Sequence, residues 1–186
     1  MKIIVDWGSN LRKVEVLSYD EKWKQMFKEE AAKLQTIFGN EIVDIHHIGS
    51  TSVPGLKAKP IIDIMPVVRD INTVDKYKIF MQEIGYEPKG ENGIPKRRYF
   101  QKGGENRTHH VHIYQTGSYE IKRHLAFRDY LVLHTDEMEK YADRKEELAQ
   151  QFPYDIESYI NGKNYLVKEI ERKSLNWYET NQKLIK

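Results

Sequence analysis

The stretch HHIGSTSVPGLKAKPIIDIMP, residues 46–66, joins a polar loop to an apolar run, and it sets the interpretation of the whole chain. Gly49 allows a backbone to approach a ligand closely. Consecutive backbone N–H groups at Gly49, Ser50 and Thr51 can form a concave donor site for phosphate oxygens. Lys59 adds positive charge close by. The loop is therefore a candidate phosphate-binding site, although an ordinary surface turn with solvated lysines has the same composition.

One carboxylate, Asp63, lies within the apolar run that follows the loop. An ionised carboxylate among apolar neighbours is costly unless it is paired or bound to a metal. A carboxylate beside phosphate-binding N–H groups is a usual way of holding Mg²⁺ with nucleotides. The residues alone leave two interpretations open: Asp63 is a metal ligand, or it forms an ion pair with Arg97 or Arg98.

Apolar periodicity predicts the order of helices and strands. Helical spacing marks five segments, at residues 18–39, 72–84, 118–134, 136–151 and 162–182. Apolar runs rich in β-branched residues mark strands at residues 42–48 and 61–68, the second apolar on both faces and therefore central. The segment KRRYFQKGGENRTHHVHIYQT, residues 96–116, predicts a hairpin around a Gly-Gly turn.

Capping residues predict where the first two helices begin and end. Ser18 and Glu21 have the spacing of a capping box at the start of the first helix, and Gly39 ends that helix. Asn72 or Thr73 is the expected cap of the second helix.

This order of elements predicts an α+β fold, with a mixed β-sheet, helices packed mainly on one face and a helical C-terminal part. No internal repeat or low-complexity linker divides the 186 residues, so residues 1–186 are predicted to form a single domain. Residues 1–17, which include the short apolar run at residues 2–5, are predicted to be an N-terminal arm or an edge strand.

The composition excludes several classes of protein. Hydrophobic residues make up 39% and charged residues 31%, which is typical of a globular chain and not of a disordered one. The net charge of +2 gives no strong signal of nucleic-acid binding. The chain has no cysteine, which excludes thiol catalysis and Cys-ligated zinc. No signal peptide or membrane span is recognisable, so a cytoplasmic location is expected; the oligomeric state stays open.

Two histidines in the segment THHVHIYQ are candidate metal ligands. Alternate residues of a strand share a face, so His110 and His112 are expected to point the same way. Together with Asp63 they would form a set of two imidazoles and one carboxylate. A half-exposed polar strand face is the alternative, and the metal interpretation requires this strand to lie beside the strand of Asp63.

Two further basic residues are candidate phosphate ligands. Arg98 precedes the histidine strand and is expected to face the same pocket, where it would neutralise phosphate charge. Lys163 follows Asn161-Gly162, where a helix is predicted to begin. A lysine there is unfavourable for the helix dipole unless a bound anion offsets it.

Four segments together resemble the GrpB family: HHIGSTSVPGLKAKPIIDI, THHVHIYQTGS, RHLAFRDYL and INGKNYLVKEI. With the start SYDEKWKQMFKEE they cover most of the chain, from residue 18 to about residue 170. The resemblance implies the nucleotidyltransferase fold of the polymerase-β type. In that superfamily a Gly-Ser pair precedes a strand with two carboxylates one residue apart, and these carboxylates hold two Mg²⁺ ions that bind a triphosphate and activate the attacking hydroxyl.

The sequence matches this pattern in part. Gly49-Ser50 corresponds to the Gly-Ser pair and Asp63 to the first carboxylate, but Met65 stands at the second carboxylate position. A thioether is a poor ligand for Mg²⁺. The expected cofactor is therefore a divalent metal, Mg²⁺ or Mn²⁺ or the softer Zn²⁺, and the expected ligand is a nucleoside triphosphate.

Three functions remain open at this point. The first is a metal-dependent transfer of a nucleotidyl or phosphoryl group to an unknown acceptor, with Asp63 on the metal and His112 as metal ligand or general base. The second is a non-catalytic nucleotide-binding or regulatory module that has lost the second carboxylate. The third, less favoured, is a phosphohydrolase, because HVHIY resembles a histidine-triad motif in which Tyr114 replaces the last histidine.

Overall fold

A five-stranded mixed sheet organises residues 13–184, which are the residues that this computed structural model describes; side chains are described as far as residue 181. The strands are β1 Ile42–Ile48, β2 Ile62–Val68, β3 Tyr86–Pro88, β4 Arg98–Lys102 and β5 His109–Gln115. Their order across the sheet is β1-β2-β5-β4-β3. β2 and β5 run parallel, and the other neighbouring pairs are antiparallel.

The helices are α1 Lys22–Phe38, α2 Lys78–Glu83, α3 Tyr119–Leu133, α4 Thr135–Gln151 and α5 Ile156–Leu184. Short 3₁₀ helices span Gly39–Glu41, Ser50–Ser52 and Ile71–Tyr77. The predicted α+β fold with a helical C-terminal part is confirmed, as are the two early strands and the hairpin of β4 and β5. None of the described helices combines the length and the apolar character needed to cross a bilayer.

The predicted helix starts differ from the observed ones. The capping box of Ser18 and Glu21 does not form: α1 begins at Lys22, and the carboxylate of Asp20 accepts the Lys22 backbone N–H at 2.9 Å. Asp70, and not Asn72 or Thr73, caps the 3₁₀ segment that leads into α2, because its carboxylate accepts the Asn72 N–H at 2.9 Å. In both places a nearer aspartate supplies the acceptor that the exposed N–H groups require.

Most of the predicted N-terminal arm or edge strand falls on residues 1–12, including residues 2–5, and these lie outside the described residues. Within the described part, Leu17 forms an isolated antiparallel bridge with Ala58, in the loop before β2. The segment after residue 12 therefore packs beside the loop that leads to the candidate site.

Each face of the sheet has its own apolar cluster. One face packs against α1 and α2 and is centred on Ile64 and Val111, which are fully buried. The opposite face packs against α3 through Met65 and Tyr114. Strand alternation places Asp63 on this second face, which is less completely covered by helices.

The loop between β1 and β2 is anchored in the C-terminal helices. Val53 and Leu56 are buried in a cluster with Tyr130, Tyr141 and Ile170 from α3, α4 and α5. This packing holds the 3₁₀ turn Ser50–Ser52 between the sheet and the helical part. The position of the loop therefore depends on residues about 80–120 positions away in sequence.

Gly162 lies inside α5, whereas the sequence predicted a helix start there. The cause is close packing: a Cβ built at this position would lie 2.4 Å from Cδ2 of Leu148, which is buried against it on α4. The guanidinium of Arg144 also donates to the Gly162 carbonyl at 3.1 and 3.2 Å. Gly162 is thus a contact point between two helices and not a helix boundary.

We expect Gly162→Ala to lower the free energy of unfolding by about 1 kcal/mol, since overpacking costs about 1–3 kcal/mol and alanine returns about 1 kcal/mol of helix propensity. In a Leu148→Ala background the same change should instead be stabilising, because the obstructing side chain is gone. Urea unfolding of the two single variants and the double variant measures this coupling. If Gly162→Ala changes the free energy of unfolding equally in both backgrounds, the contact with Leu148 is not the cause of its effect.

Candidate functional site

The register between β2 and β5 brings the predicted carboxylate and histidines together. Asp63 pairs directly with His110 across the parallel strands, and His112 follows on the same face. Oδ1 of Asp63 lies 3.1 Å from Nδ1 of His110 and 3.1 Å from Nε2 of His112. The condition set by the sequence, that the histidine strand neighbours the strand of Asp63, is met.

Hydrogen bonds keep the Asp63 carboxylate ionised. Burial by itself raises the pKa of Asp63, but the hydrogen bonds from His110 and His112 outweigh burial and hold this pKa well below its usual value. For His112 the balance is the opposite, because burial lowers its pKa more than the neighbouring carboxylate raises it. The pair is therefore an anionic carboxylate beside a neutral imidazole at neutral pH.

Arg97 determines which nitrogen of His112 carries the proton. Its Nη1 lies 3.3 Å from Nδ1 of His112, and a guanidinium can only donate. Nδ1 must therefore accept, which leaves the proton on Nε2, where it points to Asp63. Arg97 is held in place by the backbone carbonyls of Glu91 and Asn92, at 3.1 and 2.6 Å.

The ligand atoms of Asp63, His110 and His112 all lie within 4.8 Å of one another, so the three side chains are able to hold a divalent ion. Two imidazoles and one carboxylate suit Zn²⁺ or Mn²⁺ better than Mg²⁺, which prefers oxygen ligands. Ligation through Nε2 of His112 moves the ring proton to Nδ1, and the Arg97 guanidinium then has to move away. Ligation by Asp63 and His110 does not require the Arg97 guanidinium to move.

The second carboxylate position is not replaced by another acid. Met65 has no exposed surface and packs with Ile48 and Tyr114 beneath α3. Within the described residues, Asp63 is the only acid in the cluster of possible metal ligands. The arrangement therefore has ligands for one metal ion and not for the pair of Mg²⁺ ions that the resemblance implied.

The loop beside Asp63 requires glycine at position 49. Gly49 has a φ of +72°, and a Cβ there would lie 2.7 Å from Oδ2 of Asp63. The next residues form the 3₁₀ turn Ser50–Ser52, in which the Ser52 hydroxyl donates to the Gly49 carbonyl. Within the described part of the chain, the backbone N–H groups of Ser50 and Thr51 have no hydrogen-bond acceptor. They are therefore available to an anion.

The hydroxyl of Thr51, by contrast, is already engaged. It donates to the carbonyl of Ile61 at 3.3 Å and lies 3.0 Å from Nε2 of His47, and the residue is 1% exposed. The backbone N–H of Thr51 therefore remains for a phosphate, but its hydroxyl does not. The side chain instead fixes the loop against the start of β2.

A cavity of about 180 Å³ opens between the loop, the sheet and the C-terminal helices. Its lining is mostly polar and consists of Ser50, Thr51, Lys59, Ile61, Asp63, His110, Lys145, Tyr159 and Lys163. Three lysines and one carboxylate therefore share one small space. A larger cavity of about 690 Å³ adjoins it and shares Lys59, Ile61 and His110 with it.

Lys163 lines this cavity, but for a different reason from the one that the sequence indicated. It lies in the third turn of α5 and not at a helix start, so its position relative to the helix dipole carries no information. Its ammonium group lies 5.2 Å from the centre of the Tyr159 ring, and that of Lys59 lies 5.5 Å from the same ring. Tyr159 thus holds two cations at the wall of the cavity.

Arg98 does not face the site. It pairs with Ile113 in the sheet, which places it on the face opposite His112, and its guanidinium makes two 3.0 Å hydrogen bonds to Asp75. The alternative ion pair of Asp63 with Arg98 is ruled out by this geometry, and Arg97 contacts His112 instead of Asp63. The partners of Asp63 are the two histidines.

Lys145 is a site residue that no sequence motif marks. It is 2% exposed, and its Nζ lies 3.0 Å from the hydroxyl of Ser50 and also donates to the carbonyl of Lys57. Burial, with the charges of Lys163 and Lys59, lowers the pKa of Lys145 to about 6. The signal in the sequence is its spacing from the buried residues Tyr141 and Leu148, which puts Lys145 on the apolar face of α4.

Comparisons with known proteins give a consistent result. A profile of the family described as "GrpB protein" matches residues 13–173. The UPF0157 protein YqkA of Bacillus subtilis (strain 168) is 52% identical over 166 residues, which are 89% of this chain and 48% of that protein; the chain thus spans about half of that relative. The glutamate-rich protein GrpB of Alkalihalophilus pseudofirmus is 33% identical over 88% of this chain and 97% of that protein.

Among solved structures, the crystal structure of the conserved protein GrpB from Enterococcus faecalis matches with a TM-score of 0.86 and 44% sequence identity. The match covers 88% of this chain and 99% of that chain. The arrangement of the sheet and the helices is therefore shared with that protein.

We expect Lys145→Met to raise the free energy of unfolding at pH 7 by about 1–3 kcal/mol, or roughly 3–9 °C in melting temperature. The unfolded chain keeps its proton on this lysine up to pH 10.5, whereas the folded chain releases it above about pH 6. The folded wild type therefore gains stability as the pH rises through this range, and the advantage of methionine should shrink towards pH 10.

Urea unfolding between pH 6 and pH 10 measures this difference. Lys140→Met is the matched control, because Lys140 is exposed on the same helix and its replacement should change stability by less than about 0.5 kcal/mol. A loss of stability in Lys145→Met that is the same at every pH would show that the lysine is charged in the folded protein.

Proposed function

The chain belongs to the GrpB family, and from this premise we propose that it is an enzyme that transfers a nucleotidyl or phosphoryl group from a nucleoside triphosphate to an acceptor, with the help of a divalent metal ion. One observation carries the proposal. The Asp63 carboxylate, the His110 imidazole and three lysines line the same small cavity, and His112 lies 3.1 Å from the same carboxylate oxygen. Such a cavity suits a ligand that is both anionic and metal-bound.

The lysines and the loop supply the phosphate contacts. Lys59 and Lys163 carry positive charge at the cavity wall, and the N–H groups of Ser50 and Thr51 add neutral donors. Transfer of a phosphoryl or nucleotidyl group spreads negative charge over the phosphate oxygens, so fixed donors and cations are the main catalytic need. The negative charge of the Asp63 carboxylate repels phosphate oxygens, so its role in this proposal is to bind the metal ion.

The two adjoining cavities accommodate the parts of a nucleotide. The cavity of about 180 Å³ takes the reacting phosphates, and the adjoining cavity of about 690 Å³ has room for the sugar and base. Pockets of about 300–1,000 Å³ are typical of small-molecule sites. His110 and Lys59 border both spaces and thus lie where the phosphate chain would pass between them.

Asp63, His110 and His112 are the residues that would hold the metal ion. A divalent ion there supplies positive charge that neutralises the phosphate oxygens. The nitrogen-rich donor set favours Mn²⁺ or Zn²⁺ over Mg²⁺. Both ring nitrogens of His112 already contact protein groups. His112 is therefore better suited to bind the metal ion or to position Asp63 than to accept a proton from the substrate.

A non-catalytic nucleotide-binding or regulatory module is the second candidate, and burial of Met65 is the observation that favours it. With one carboxylate in the cluster, a two-metal mechanism has no second anchor. Such a module would bind a nucleotide through the same lysines and N–H groups without releasing a product. The two candidates differ in turnover and in their dependence on metal.

A thermal-shift screen tests the proposal. We expect one nucleoside triphosphate with Mn²⁺ or Zn²⁺ to raise the melting temperature by about 5–10 °C at a concentration near 100 times its Kd, because the ligand binds only the folded state. Asp63→Asn should abolish the metal-dependent part of the shift. Asp75→Asn is the matched control, since Asp75 pairs with Arg98 on the other face of the sheet and should leave the shift unchanged.

Product analysis by chromatography separates the two candidates. Metal-dependent release of pyrophosphate or nucleoside diphosphate supports the enzyme. Binding that persists in chelator, with no product, supports the module. If no nucleotide changes the melting temperature with any metal, both candidates fail.

A further inference from the structure

The hydroxyl of Ser50 and the amine of Lys145 lie 3.0 Å apart at the floor of the small cavity, a distance at which a proton can pass between them. We propose that Ser50 is a nucleophile and Lys145 its general base, so that Ser50 takes the phosphoryl group of the bound nucleoside triphosphate. The phosphoryl donor rests on the proposed function, whereas the nucleophile and its base rest on their own geometry.

The surroundings of Lys145 favour a neutral amine with a free electron pair. Its recorded partners are the Ser50 hydroxyl, the Lys57 carbonyl and the ring of Tyr141 at 4.4 Å, and within the described residues no carboxylate pairs with it. A buried amine without an acid partner loses its proton readily, and burial places its pKa at about 6. The titratable groups around it are Tyr141 on α4, Tyr159 and Lys163 on α5, Lys59 in the loop, and Asp63 and His110 of the sheet, which line the same cavity.

The loop also provides what a serine nucleophile requires. The N–H of Thr51, the residue directly after the nucleophile, has no acceptor in the described part of the chain. In other serine enzymes the N–H at this position stabilises the charge that develops on the attacked group. Lys163 faces the same cavity and adds positive charge for the phosphoryl oxygens.

The step balances with the groups at hand. Oγ of Ser50 forms a bond to the terminal phosphorus, and the hydroxyl proton passes to Nζ of Lys145, which becomes an ammonium group. The bond between that phosphorus and the bridging oxygen breaks, and its electron pair leaves with the nucleoside diphosphate. The products are phosphoserine at position 50, a charged Lys145 and free nucleoside diphosphate; the new ammonium group remains beside the phosphate as its counter-ion.

A purely structural role makes different predictions. In that case Lys145 only ties the loop to α4 through Ser50 and Lys57, and Ser50 is no more reactive than other serines. The reactivity of Ser50, its dependence on Lys145 and its pH profile therefore decide between the two roles, independently of any nucleotide.

The first experiment treats the full chain with a fluorophosphonate probe in metal-free buffer and locates the adduct by intact-mass and peptide mass spectrometry. We expect one adduct on Ser50, lost in Ser50→Ala and formed roughly 100-fold more slowly in Lys145→Met. The wild-type labelling rate should rise with pH through about 6, because only the neutral amine accepts a proton. Ser52→Ala, in the same turn, and Lys140→Met, exposed on α4, are the matched controls and should label at the wild-type rate.

Labelling of Ser50 at the same rate in Lys145→Met, or labelling of another serine alone, would overturn the assignment. The pH profile uses the wild type, so it decides the question even if a variant folds poorly. A labelling rate that is flat across pH 5–8 would also overturn it.

The second experiment incubates the wild type with each of the four common nucleoside triphosphates and Mn²⁺, and measures the intact mass. A gain of one phosphoryl group on Ser50 supports the full proposal. Nucleotide turnover without modification of Ser50 refutes phosphorylation of Ser50 but leaves the proposed function standing. A third outcome is that the probe labels Ser50 in a Lys145-dependent way but no nucleotide binds. This outcome refutes both the nucleotide as phosphoryl donor and the proposed function, but it still supports Ser50 as a nucleophile with Lys145 as its base.

Discussion

The carboxylate of Asp63 is the group around which the site is arranged. It lies in a strand of apolar residues, where an unpaired charge would be costly. Two histidines from the neighbouring parallel strand offset this cost by donating to the same carboxylate oxygen. Gly49 lacks a side chain because Oδ2 of Asp63 occupies the space where its Cβ would lie. The two histidines of β5 and the glycine at position 49 are therefore both matched to one half-buried charge.

Lys145 is a second energetically unfavourable group that lines the same cavity. Its amine is buried without an acid partner, so the folded protein keeps it at the expense of stability. Proteins tolerate such groups mainly where they serve a function. A half-buried carboxylate and a buried amine that line one cavity are a stronger indication of a functional site than either would be alone.

Arg97 adds a constraint that bears on the metal. Metal-bound histidines usually donate their second ring nitrogen to an acceptor such as a carboxylate or a carbonyl. The second nitrogen of His112 faces a guanidinium instead. This arrangement stabilises the metal-free pair of His112 and Asp63, so metal binding through His112 has to displace Arg97. A metal ion bound here would therefore be held less tightly than by three unhindered ligands.

The sequence by itself determined four of the five strands, the α+β class and the family, and it singled out Asp63, Gly49 and the two histidines as candidates, because these depend on local periodicity and on a contiguous motif. The short strand β3 Tyr86–Pro88 was not predicted. The tertiary structure alone decided which basic residues reach the cavity. Arg98 on β4 pairs with Ile113 on β5, the residue directly after His112. Because successive residues of a strand point to opposite faces, Arg98 and His112 lie on opposite faces of the sheet. Lys145 is about 95 residues from Ser50 and meets it only because α4 packs over the loop. Gly162 looked like a helix start because its local sequence cannot reveal that Leu148 of another helix fills the space beside it.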